Sequence, residues 1–185
     1  MKKDSFLIFK DDNINLKKTI YILMQIMVIC AFIGFIYEEI FYKIDLGYFV
    51  KRGSTFGPWI PVYAFGGLFI TLLVYRFKKH PLIVLALACL ISAIIEYGTG
   101  FVFWEFFHTR LWDYNVEIWN YGNINGYICL RSVLLFGFSG LFIIYVLVPI
   151  LKKIAIKVSE KKFAIVSCTI WGLFMIDVIA YMILK

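Results

Sequence analysis

Residues 82–131 read LIVLALACLISAIIEYGTGFVFWEFFHTRLWDYNVEIWNYGNINGYICLR. The first part, Leu82–Trp104, carries one ionisable side chain, Glu96. A helix of about 20 apolar residues crosses a hydrocarbon core of about 30 Å, so this run is read as a transmembrane helix. A loop dense in Trp, Tyr and Asn follows, and from Gly126 a second apolar run begins that carries Arg131. An acid on one span and a cation on the next, joined by an aromatic and amide-rich loop, set the reading of everything else.

Working outward, comparable apolar runs lie at Thr19–Tyr42, Pro58–Phe77 and Phe163–Leu184, and the run opened at Gly126 continues to Leu151. The fold class is therefore all-α: a polytopic membrane helix bundle with about five spans. The second run follows Gly57 and has Pro58 and Pro61 in its first turn, where a missing amide costs a helix nothing. The link from Arg76 to Pro81 is short and makes the second and third spans antiparallel neighbours. Residues 19–185 are expected to form a single membrane domain behind a polar tail, residues 1–18, whose one apolar patch is FLIF. That tail is too charged for the core of a signal peptide, so the first helix is expected to stay as an anchor.

The composition agrees: 62% hydrophobic and 17% charged, with a mean hydropathy of +0.85. A soluble domain is about 45–50% apolar and about 25% charged. A net charge of +7 does not indicate nucleic acid, because the basic residues lie between apolar runs rather than on a folded aqueous surface. They are unevenly shared. One side of the spans holds Lys2, Lys3, Lys10, Lys17, Lys18, Arg76, Lys78, Lys79, Lys152, Lys153, Lys157, Lys161 and Lys162; the other holds Lys43, Lys51, Arg52, Arg110 and Lys185. The positive-inside rule then puts the N-terminus in the cytoplasm and both polar loops outside, in a multi-pass membrane protein.

Depth along the helices, at about 1.5 Å per residue, places Glu96, Asp177 and Arg131 in one layer nearer the outer face, with Glu38 and Glu39 above them. Charges inside a membrane are costly and face a partner or a wet cavity. The expected site is an outward-opening polar pocket with Arg131 as its cation and Glu96, Asp177 and Glu38 as its anions. The bland alternative is an ion pair that holds helices in register. Glu96 and Gly100 share a helix face, while Glu105 points away from it.

Arg52, in KRGSTFGPW, stands before a helix start whose amides suit a phosphate or carboxylate. In the second outer loop, Trp112 and Tyr114 belong to a set of rings that suits an interfacial aromatic belt, whereas Asp113, Asn120, Asn123 and Asn125 either tie down a lid or read a polar head group; Arg110, Trp112, Asp113, Tyr114 and Asn123 are the loop's candidate substrate contacts. Glu105 and His108 are two ligands where a zinc site wants three or four, so no metal is expected. Cys30, Cys89, Cys129 and Cys168 read as buried small hydrophobes rather than disulfides. No phosphate loop, nucleophile elbow, zinc-protease or dinucleotide motif is present, so no cofactor is expected and ATP-derived energy would come from a separate ATPase subunit.

Several uncommon peptides occur in order: Gly34-Phe35-Ile36-Tyr37-Glu38, Arg52-Gly53, Phe56-Gly57-Pro58-Trp59, Pro61-Val62-Tyr63, Glu96-Tyr97, Arg110-Leu111-Trp112-Asp113-Tyr114 and Asn123-Ile124-Asn125-Gly126-Tyr127-Ile128-Cys129-Leu130. On these the chain resembles the putative ABC-transporter type IV family, small bacterial multi-pass proteins common in Firmicutes, over about residues 28–150. It departs at Phe35, where the family favours Trp. The resemblance implies a permease-like transport component that binds a small molecule or lipid head group, with membrane lipids, an ATPase and a second copy of the chain as expected partners. Two other readings stay open: an enzyme using Glu96, Asp113 and His108 as acid and base on a lipid or prenyl substrate, and a non-catalytic partner subunit of a membrane complex.

Overall fold

The computed structural model describes residues 8–9 and 14–184, and among them every regular element is helical. Helix α1 spans Leu16–Leu46; the Asn15 side chain caps its start by accepting from the Lys18 amide at 2.9 Å, and Gly47 ends it in the left-handed region at φ 82°. Helix α2 covers Pro61–Val74 and tightens into a 3-10 turn over Tyr75–Phe77. Helix α3 runs Pro81–Phe107, α4 Leu130–Phe142, α5 Val148–Lys157 and α6 Glu160–Leu184. A π turn, Ile143–Leu147, joins α4 to α5 into one continuous span. It directly precedes Pro149, which lacks an amide and whose ring would strike the carbonyl of Tyr145 in a regular helix; the wider turn absorbs both problems.

Four helical stretches are long and apolar enough to cross a membrane, and α2 is a shorter apolar helix. The expected second span therefore begins three residues late. Each residue before a proline is driven out of the helical region, and Ile60 sits extended at φ −122°, ψ 112° ahead of Pro61. Residues 47–60 instead fold back along α1, where the Ile60 amide donates to the Ala31 carbonyl at 3.2 Å. The fourth span also starts later than Gly126: Cys129 is its N-cap, which puts Arg131 in the first helical turn rather than deep in the span.

Helix α1 is the hub, packed against α2, α5 and α6, while α3 lies along α4 and α2 touches both. Without water to drive apolar faces together, close approach depends on small residues. A Cβ built on Gly140 would stand 2.5 Å from the Ala88 Cβ, and one on Gly34 would stand 2.2 Å from the root of the Tyr63 ring. Large apolar side chains such as Leu90, Ile94, Phe138 and Ile176 stay exposed on the outside of the bundle, as lipid contact requires.

The main apolar core lies toward the end of the bundle where the basic turns gather, around Ile22, Ile26, Ile70, Val74, Val84 and Val148. Phe9 joins it, almost fully buried and edge-on to Tyr75 at 4.8 Å between ring centres. Phe9 is the last residue of the tail's apolar FLIF patch, so the tail contributes a core side chain, and α1 already begins at Leu16; residues 1–7 and 10–13 lie outside the described residues.

Candidate functional site

At the opposite end of the bundle, residues 108–129 form a folded loop rather than a loose connection. The Tyr114 amide donates to the Gly126 carbonyl at 3.1 Å, and the Leu130 amide to the Tyr121 carbonyl at 2.8 Å. The Asn side chains act inside this loop. Asn120 Nδ2 reaches the Tyr114 carbonyl at 2.9 Å, Asn123 Nδ2 reaches Asn115 Oδ1 at 2.7 Å, and Asn123 Oδ1 accepts from the Gly126 amide at 2.9 Å. Arg110 pairs with Asp113 at 3.0 Å and lies over the Trp104 ring, while Trp112 Nε1 donates to the Tyr127 carbonyl at 2.9 Å. Gly126, at φ 77°, lies under this cluster: a Cβ there would meet Asn115, Arg110 and Asp113 within 2.4–2.6 Å. Of the two roles open to Arg110, Trp112, Asp113 and Asn123, their contacts are those of residues that hold a lid together.

Beneath the lid lies a buried polar network. Arg131 donates from one guanidinium nitrogen to Glu117 Oε2 at 2.6 Å and from another to the Tyr37 hydroxyl at 2.9 Å, with its plane over the Phe41 ring at 3.9 Å. Tyr42 donates a short hydrogen bond to the other Glu117 oxygen, and the Ile118 amide donates to Asp45 at 3.0 Å. The end of α1 thereby clasps the lid. Burial pushes the Glu117 carboxyl above its ordinary range, and the Tyr42 hydroxyl and Arg131 pull it back. Sequence reasoning missed Glu117; its only signal was an acid set between Val116 and Ile118 in an otherwise aromatic loop.

On the other side of Tyr42, the Arg52 guanidinium stacks on that ring at 3.6 Å and pairs with Glu38 at 3.2 Å. The Arg52 amide donates to Glu39 at 3.0 Å. The Tyr63 side chain, on α2, lies near Glu38. Glu96 lies on α3, 5% exposed, and accepts a short hydrogen bond from the Tyr114 hydroxyl. Burial and the neighbouring Glu96 keep the Tyr114 phenol far above its usual pKa, so it acts as a donor. Below Glu96 a narrow, mostly apolar cleft of about 10 Å³ lies between α2, α3 and α4, lined by Val62, Gly66, Ile70, Ile91, Ser92 and Phe136.

The structure thus brings Glu38, Arg52, Glu96, Tyr114 and Arg131 together in one network with Glu117, Tyr37, Tyr42 and Tyr63. Asp177 stands apart from it. It accepts from the Phe56 amide at 3.2 Å, the Gly57 amide at 2.8 Å and Trp59 Nε1 at 2.6 Å. Two amides of KRGSTFGPW and the Trp59 indole thus hold one of the protein's own carboxylates, while Arg52 pairs elsewhere, with Glu38. Asp177→Asn removes the charge and turns one acceptor into a donor facing donors. It is expected to cost about 1 kcal/mol and to speed amide hydrogen exchange at residues 56–59 without affecting the lid. Unchanged exchange there would show that Asp177 does not latch α6 to this loop.

His108 caps α3 in the left-handed region and is exposed, Glu105 is exposed, and no cluster suited to a metal occurs among the described residues. Glu96, Asp113 and His108 have separate surroundings and do not converge on one point.

Apolar spanning helices that enclose a lidded layer of charge define a polytopic helical membrane protein. The family model described as putative ABC-transporter type IV matches residues 25–182, and the chain belongs to that family. No curated protein and no solved structure matches it.

Proposed function

We propose that the chain is the membrane-embedded component of a transport system, and that the network under the 108–129 lid is its solute-contacting layer in a closed state. One observation carries this reading. Four acids, Glu38, Glu39, Glu96 and Glu117, share the layer with two arginines, Arg52 and Arg131, and a folded loop covers them. A purely structural register pair needs one partner for each charge. Surplus acid at membrane depth suits a small molecule or lipid head group that presents a cationic group.

In this reading the lid faces outward and the basic turns face the cytoplasm, where Lys79, Lys153, Lys157, Lys161 and Lys162 are exposed for a separate ATPase. Isolation from native membranes in mild detergent is expected to bring down a nucleotide-hydrolysing subunit. The combined changes Lys79→Glu, Lys153→Glu and Lys162→Glu are expected to release it while leaving the bundle folded. Isolation without such a subunit, together with unaltered uptake and export of solutes in a deletion strain, would overturn the proposal.

A further inference from the structure

The Glu96 carboxyl is bound asymmetrically. Oε1 accepts from Tyr114, whereas Oε2 is fully buried and has no hydrogen-bond partner. Glu96 forms no ion pair among the described residues; the nearby guanidinium of Arg131 bonds Glu117 and Tyr37, and its Nε is itself buried without a partner. The groups that face Glu96 are Tyr114 and Glu117 from the lid, Arg131 and Ser132 from α4, and Tyr63 from α2.

Ser132 does not relieve Oε2. Its Oγ donates to the Cys129 carbonyl at 2.9 Å as part of the α4 cap, and it accepts from the Cys129 amide at 3.3 Å and from the Cys129 thiol at 3.8 Å. Its hydroxyl is therefore fully engaged within the cap. A buried anionic oxygen without a donor is the costliest arrangement available to a carboxylate. Protonation removes that charge.

We propose that Glu96 is a proton-binding site, with the proton on the buried, unpartnered Oε2. Loss of that proton adds a negative charge to the layer, and uptake removes one. The site therefore makes the charge of the solute-contacting layer depend on the proton. This use rests on the transport reading above; the existence of the proton does not.

The test is infrared difference spectroscopy on the full chain in lipid nanodiscs at about pH 7, with Glu96→Gln subtracted from wild type. The expected result is loss of a protonated-carboxyl C=O band that shifts in deuterated buffer. Loss of carboxylate bands instead would overturn the proposal and leave the ATPase association untouched. Tyr114→Phe is the second variant, for the case in which Glu96→Gln fails to fold. It removes the donor to Oε1 and is expected to move the same band to higher frequency, whereas Ser132→Ala leaves the band in place; a spectrum unchanged in the C=O region in Tyr114→Phe would overturn the assignment.

Discussion

Arg131→Leu is expected to lower the unfolding free energy by about 3–5 kcal/mol, the cost of leaving one member of a buried ion pair unpartnered. The alternative is a surface pair, whose loss costs about 0–1 kcal/mol. Burial decides between them: the two side chains are only 16% and 5% exposed. Removal of Arg131 would strand the Glu117 carboxylate with Tyr42 as its remaining donor and would also deprive the Tyr37 hydroxyl of its partner. One opposing effect exists, since a cation in the first turn of α4 meets the positive end of that helix. Its relief returns at most about 1 kcal/mol, too little to change the sign. Replacing both partners, Arg131→Met with Glu117→Leu, is expected to recover most of the loss, because an apolar pair leaves no buried charge behind. Thermal unfolding in detergent reads the stability, and hydrogen exchange across residues 108–129 reads the lid. A single variant within about 1 kcal/mol of wild type would show that this pair does not hold the lid down.

The helices were legible in the sequence because a membrane span is a one-dimensional signal: length and hydropathy suffice, and α1, α3 and α6 lie close to where the apolar runs predict them. The exceptions are local. Two prolines close together delay α2, since Pro58 and Pro61 extend the backbone between them, and Pro149 converts one turn before α5 into a π turn. The grouping of charges was only half legible. Depth along a helix put Glu96, Arg131 and Asp177 in one layer, but depth carries no information about which face a side chain leaves from or where a loop folds. Arg131 consequently takes Glu117 from the lid, and Asp177 takes the amides of the residue 47–60 segment, which returns along α1. Both partners come from segments without periodicity, where sequence offers no angle from which to compute a direction. The peptides that carry the family resemblance were visible as residues but not as a mechanism. Arg110, Asp113, Asn123 and Gly126 prove to be one packed cluster in which the glycine has no room for a side chain.

Gly34→Ala gives the second large effect, and it tests how that network is held from below. Alanine is the better helix former by about 1 kcal/mol, so propensity alone predicts stabilisation of α1. Packing predicts the reverse. The new Cβ would stand 2.2 Å from Tyr63 Cγ, against about 3.5–4 Å for carbons in ordinary contact. Because the contact is at the root of the ring, rotation of the ring about its own axis relieves nothing; α1 and α2 must part or Tyr63 must leave its rotamer. Overpacking of this kind costs about 1–3 kcal/mol, and occasionally more, and with no soft neighbour to yield we expect a net loss of about 2 kcal/mol. Departure of Tyr63 also breaks its stack on Phe136, 5.1 Å between centres, and moves its ring away from Glu38, so the strain reaches the neighbourhood of the Glu38–Arg52 pair. In a Tyr63→Ala background the clash is absent, and Gly34→Ala is expected there to be neutral or stabilising. A double-mutant cycle gives the coupling directly. Equal costs in the two backgrounds would mean that the close approach of α1 and α2 at Gly34 does not seat Tyr63 against the charged layer.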